Sequence, residues 1–289
     1  MFPIQKILLP VDFSERSSQA VRFAADLAGR LNAEMILLHV LPPYHEFGGI
    51  ELASAILTDL IAERHQDAER RLAGFLDEDL RGRRVRRVLQ DGDPAHQIVE
   101  CAHREQAGLV MMPTHGYTRF RRLLLGSVTA KVLHDADCPV WTTAHAEALH
   151  SGEFALRRIL CEIGPEPAAE RTLEWAAGLA LEFGAQLTLA HVMSELDPRT
   201  EAYYLSPEWR KLMTDRAEEQ IAALQGKSGT HAEVILLIGR AADMLCEEAR
   251  KLPADLLVIG RGTEAGILGR LTGHAYSTIR QSPCPVVSV

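Results

Sequence analysis

A chain of 289 residues, 47% hydrophobic and 24% charged, is long enough for two ordinary globular domains. Its formal net charge of -8 argues against a nucleic-acid partner, which would need a net basic face. Five scattered cysteines without a C-x-x-C pair, no signal peptide and no apolar run of membrane-spanning length predict a cytoplasmic protein with reduced thiols and no membrane partner.

Ile7 to Val11 is an apolar run ending in Asp12 and predicts a first strand. Ser14 is placed to cap the helix that follows, with Glu15 in its first turn and Ala20, Phe23, Ala24, Leu27 and Leu31 at helical spacing. Met35 to Val40 predicts a second strand, closed by Pro42-Pro43. A long charged amphipathic helix is expected from Ala53 to Leu80, then a third strand at Val85–Leu89 with its arginines on exposed positions. In Gly92-Asp93-Pro94 the aspartate caps the next helix and the proline takes its first position. Leu109–Met112 reads as a buried fourth strand, Ser127–Asp135 as a helix and Cys138–Thr143 as a fifth strand, with Cys138 a buried packing thiol like Cys284.

This alternation implies a parallel sheet with helices on both faces. Ligands of such sheets lie outside the carboxyl ends of the strands, where the strand order switches. Asp12, Val40, Gly92 and Gly116 all fall at such ends. The fourth strand runs into Pro113-Thr114-His115-Gly116, then a basic segment with Arg119, Arg121 and Arg122, then Gly126-Ser127 at a helix start. Glycines let main chain approach an anion, and N–H groups at a helix start point at it, so the stretch reads as a two-lipped phosphate cradle. The plainer alternative is a strand–helix connection that uses glycine only for turning. His115 could meet a phosphate or serve only as a turn residue. The arginines could steer an anion or form a solvated face.

The second half repeats the first. Ala24-Ala25-x-Leu27-Ala28 recurs as Ala176-Ala177-x-Leu179-Ala180, His39-Val40 as His191-Val192, and Cys138-Pro-Val140 as Cys284-Pro-Val286. Ile159–Cys161, Val234–Ile238 and Leu256–Ile259 stand for the first, third and fourth strands. Ser206-Pro207-Glu208 starts the repeat's long helix, with Ser206 as cap.

These residues together resemble a tandem universal stress protein of the UspA family. The resemblance is carried by Ile7-Leu-Leu-Pro-Val-Asp-Phe-Ser14, His39-Val40, Gly92-Asp-Pro94, Thr114-His-Gly116 with its spacing to Gly126-Ser127, and the two Cys-Pro-Val strands. It implies two tandem Rossmann-like (HUP-type) α/β domains, residues 1–147 and 155–289, each a five-stranded parallel sheet with helices on both faces. It also implies an adenine-nucleotide site in members that carry G-x-x-G-x9-G-S/T, and hence ATP, with Mg2+ on its phosphates. Carried over, the first domain's site comprises Pro10, Val11, Asp12, Val40, Gly92, Met112, Thr114, His115, Gly116, Gly126, Ser127 and Val128. Asp12 and Val40 would hold the adenosine, Gly92 would border the pocket, and backbone at Gly116, Gly126 and Ser127 would bind phosphates. Pro113 departs from the motif's first glycine and lacks an N–H.

The second domain departs further. Thr263 stands at the second glycine, His274 replaces the serine after Gly273, Gly164 stands where Asp12 would be, and Ala241 replaces Pro94. At most one adenine nucleotide per chain is expected. In the family the fifth strands of two domains pair antiparallel, which here implies an internal pseudo-dimer through residues 138–143 and 284–289, and a further homodimer of chains. No Walker A lysine, paired carboxylates or HExxH segment is present, so no catalytic or metal residue is assigned and any ATP hydrolysis would be slow. The resulting expectation is a nucleotide-binding stress regulator. The alternative is a stress scaffold that acts through dimerisation and partners without nucleotide.

Overall fold

The computed structural model describes residues 4–43, 54–114, 125–143, 155–164, 168–193, 207–261 and 274–289. The chain divides into two compact units that part between His150 and Ser151.

The first unit runs β1 (Lys6–Pro10), α1 (Glu15–Leu31), β2 (Glu34–Leu41), α2 (Ser54–Gly74), β3 (Val85–Asp91), α3 (Pro94–Arg104), β4 (Leu109–Met112), α4 (Ser127–Asp135) and β5 (Val140–Thr142). Its strands are parallel in the order β3-β2-β1-β4-β5. Ile7 of β1 registers with Met35 on one side and Leu109 on the other. Ile7, Leu8 and Leu9 are fully buried, as a strand covered on both faces requires. Right-handed crossovers put α1 and α2 on one face and α3 and α4 on the other, and α3 packs on α4. α1 begins at the expected cap, where Ser14 Oγ accepts from the Ser17 N–H at 3.2 Å. Its buried stripe sets Phe23 edge-on to Trp141, with ring centroids 5.6 Å apart. At α3, Asp93 accepts from the His96 N–H at 3.0 Å and Pro94 holds the first position, as the sequence predicts.

Three expectations are corrected. α2 ends at Gly74, not Leu80. Glycine is a poor helix former, and a turn with Leu76 at φ 53° follows, tucking Leu80 into the core. The β3 arginines are half-buried and paired: Arg86 bonds Glu34 and Glu105, and Arg87 bonds the Phe75 carbonyl and Asp77. Cys138 is only half-buried, because it sits in the turn ahead of β5; Cys284 is buried, and burial pushes its thiol up to about 11.

The second unit repeats the plan with β6 (Arg158–Glu162), α5 (Ala168–Phe183), β7 (Gln186–Met193), α6 (Pro207–Ser228), β8 (Glu233–Ile238), α7 (Ala241–Lys251), β9 (Leu256–Ile259), α8 (Ala275–Gln281) and β10 (Val286–Ser288). Its order is β8-β7-β6-β9-β10, again parallel. The duplication extends to single bonds. His39 Nδ1 meets the Val11 carbonyl and His191 Nδ1 the Ile163 carbonyl, both at 2.7 Å. Gly92 and Gly239 turn at φ 137° and 144°, and their N–H groups donate to Leu41 and Met193 carbonyls at 3.0 and 3.1 Å. The expected cap Ser206 lies outside the described residues.

Candidate functional site

β1 and β4 are neighbours whose chain connections lead to opposite sides of the sheet, and a crevice opens at their carboxyl ends. A cavity of about 400 Å³ lies there. Of the residues expected at the site, Pro10, Val11, Asp12, Val40, Met112, Gly126, Ser127 and Val128 line it together. Gly92 and Thr114 do not. Gly92 is at a backbone angle that favours glycine, with Gln97 packed where a Cβ would go, and the wall beside it is made by Pro94 and Ile98. Thr114 is buried. His115, Gly116, Arg119, Arg121 and Arg122 lie outside the described residues.

The backbone at Gly126 differs from expectation. Its N–H, assigned by spacing to an anion, donates instead to the Thr114 carbonyl at 2.9 Å. The Thr129 hydroxyl donates to the Pro113 carbonyl at 3.1 Å. These two bonds pin the end of the β4 turn to the start of α4. The reason is satisfaction of buried carbonyls, which the strand end leaves without a ladder partner. The N–H groups left open are those of Ser127, Val128 and Thr129, the first turn of α4, which carry no hydrogen bond among the described residues. They give this edge of the cavity partial positive charge.

Across from them stands Asp12. Its Oδ1 accepts from the Ser14 N–H at 3.0 Å and from the Ser14 hydroxyl at 2.5 Å, while Oδ2 carries no hydrogen bond among the described residues. Phe13, at φ 59°, is in the left-handed region that a bulky residue seldom adopts. Its ring is held by His39 with centroids 4.4 Å apart, by Phe75 at 5.4 Å and by the Arg71 guanidinium 4.3 Å above it. His39 lines the cavity, and burial holds its pKa below the ordinary value. The neutral ring therefore donates Nδ1–H to Val11 and keeps its tautomer. Lys131 Nζ is 3.3 Å from Asp93 Oδ1, tying the starts of α3 and α4. Among the described residues no cluster of His, Cys, Asp or Glu could hold a metal ion.

The sequence reading missed Ser17, Leu38, His39, Pro42, Pro94, Ile98, Pro113 and Thr129 as lining residues. Three had a readable signal. Ser17 lies one turn past a capped start, Ile98 one turn past Pro94, and Thr129 two past the cradle's serine.

The model of the universal stress protein family matches residues 3–143 and again residues 155–289. The chain belongs to the universal stress protein family. A universal stress protein of Mycolicibacterium smegmatis is 29% identical over 297 residues, covering 98% of this chain and 96% of that one. One from Methanocaldococcus jannaschii is 32% identical over 138 residues, covering 47% of this chain and 79% of its own. Among solved structures, a universal stress protein from Archaeoglobus fulgidus superposes with a TM-score of 0.68 at 22% identity, covering 99% of this chain and 98% of that chain. Another solved member of the family, 24% identical with a TM-score of 0.31 and covering 47% of this chain and 93% of its own, is a complex with cAMP.

In the second universal stress domain the corresponding strand and helix ends carry different residues. Glu162 ends β6 as Pro10 ends β1, and Arg240 caps α7 without the side-chain bond that Asp93 makes. The nine-residue spacing sets His274 against Ser127. Burial sets it against Val128, because Ala275, Thr278, Ile279 and Ser282 are the buried row that matches Thr129, Val132, Leu133 and Ala136.

Proposed function

We propose that the first domain binds an adenine nucleotide, ATP or a close relative, and that the protein acts as a nucleotide-dependent regulator. The observation that carries this reading is the cavity itself. Apolar walls from Pro10, Val11, Val40 and Met112 suit a base, Asp12 Oδ2 is an acceptor for a ribose or base donor, and three open N–H groups of α4 suit a phosphate. A volume of about 400 Å³ is within the range of small-molecule sites. Mg2+ would ride on the phosphates, since the described residues offer it no carboxylate cluster.

The test is to denature the purified protein and assay released adenine nucleotide, then to measure ATP binding to the emptied chain by calorimetry. Ser127→Pro removes one open N–H and the hydroxyl. Proline is tolerated at a first helical position, and Gly126 at ψ 142° already has the backbone that precedes proline comfortably. One hydrogen bond to a charged group contributes about 1.5–3 kcal/mol, so affinity should fall roughly tenfold to a hundredfold. No nucleotide in the parent and no binding to the emptied chain would leave the scaffold reading.

A further inference from the structure

In the first unit, Pro10 at the end of β1 and Val128 in the first turn of α4 line two walls of an open cavity. Their counterparts in the second unit, Glu162 at the end of β6 and His274 at the cap of α8, touch each other. His274 Nε2 donates to Glu162 Oε1 at 2.8 Å. Glu162 is 5% exposed and the imidazole is half-buried. A carboxylate so deep is held by its cationic partner, and loss of that partner leaves an uncompensated buried charge.

Several other charged or titratable groups on the neighbouring elements have partners of their own. On β6 and β7, Cys161 is a buried thiol and His191 points Nδ1 at the Ile163 carbonyl. On α7, Arg250 bonds the Cys246 and Gln281 carbonyls, Cys246 bonds the Thr278 carbonyl, Asp243 pairs with Arg240, and Lys251 pairs with Glu247 and Glu248. On α5, Glu170 pairs with Lys227. Arg261, just past β9, is buried, with its backbone N–H on the Val289 carbonyl. Among the described residues Glu162 is the group in contact with the His274 ring.

We propose that the Glu162–His274 pair is a clasp between the end of β6 and the start of α8, closed while the imidazole is charged and loosened when it is neutral. The hydrogen bond from Glu162 raises the imidazole's pKa above its ordinary 6.5, against burial, which lowers it. A histidine whose pKa is raised on folding stabilises fully below the unfolded value, and that contribution disappears as pH rises through the folded value. The start of α8 is thus held below the folded midpoint of His274 and released above it. Pro10 gives the first unit no such clasp at the matching strand end.

Histidine Cε1–H resonances of the full chain, followed by NMR across a pH series, test this directly, with His274→Asn identifying the signal. The expected midpoint for His274 lies above 6.5 and drops to 6.5 or below in Glu162→Gln. Amide exchange of Ala275–Gln281, corrected for the intrinsic effect of pH, should accelerate several-fold above the midpoint. A wild-type midpoint at or below 6.5, a midpoint that Glu162→Gln does not move, or α8 exchange that stays level through the midpoint overturns the proposal. Should Glu162→Gln fail to fold, the wild-type midpoint and exchange profile decide alone.

Discussion

Single residues at the first cleft show how local chemistry and tertiary pairing divide the outcome. Asp93 and Pro94 act at the start of α3 as their types dictate, because capping involves only atoms a turn away. Gly126 could not be read the same way. Its N–H goes to Thr114, a partner fixed by how β4 and α4 come together rather than by neighbours in sequence. His39 carries a consequence for pH. Burial, the first cause, lowers its pKa, with the Val11 bond opposing. The unfolded chain then binds more protons than the folded chain as pH falls below 6.5, so acid costs the first domain stability. His39→Asn retains an N–H for the Val11 carbonyl without a titrating ring. Denaturant unfolding at several pH values should show a shallower loss between pH 6.5 and the folded midpoint in the variant; equal slopes would exclude His39 as the source.

Among elements, β3 departs most from what its sequence suggests. The arginines of this strand read from the sequence as exposed side chains. Arg86 is instead the centre of a bridge, 3.2 Å from Glu34 on β2 and joined to Glu105 at the end of α3. That bridge fixes α3, and with it the Pro94–Ile98 wall of the cavity. Hydrogen bonding from Arg86 is the main cause that pulls the Glu105 carboxyl below its ordinary 4.5. A depressed carboxyl pKa stabilises above the unfolded value and loses that contribution as pH falls through the folded value. Arg86→Leu should therefore lower stability by about 1 kcal/mol at neutral pH, the scale of a part-exposed ion pair. The variant and parent curves should converge in acid below the Glu105 midpoint, as urea titrations would show. The end of α2 at Gly74 was unreadable for a related reason: Leu80 keeps the apolar period while packing from a turn.

At the scale of the whole chain, duplication is what the sequence displayed most clearly. Recurring His-Val and Cys-Pro-Val pairs mark equivalent strands, and the structure repeats even their hydrogen bonds. At the strand ends the halves diverge: Asp12 corresponds to Gly164, Pro10 to Glu162 and Val128 to His274. Glu162 was not flagged by sequence because its depth follows from its position at a strand end covered by α8. Gly164 offers no carboxylate in place of Asp12, and the Glu162–His274 pair joins the strand end and helix start that Pro10 and Val128 leave open in the first unit. Calorimetric titration with ATP should accordingly fit one site per chain, and two equivalent sites would refute this division of roles.

The pinning of Thr114 to Gly126 and of Pro113 to Thr129 has one more implication. A connection whose two ends are fastened by their own hydrogen bonds sets little demand on the length of chain between them. Lengthening such a stretch twofold costs only about 0.6 kcal/mol of closure entropy. Insertions between Thr114 and Gly126 should therefore leave the start of α4 in place, as unchanged amide exchange of Lys131–Asp135 would show.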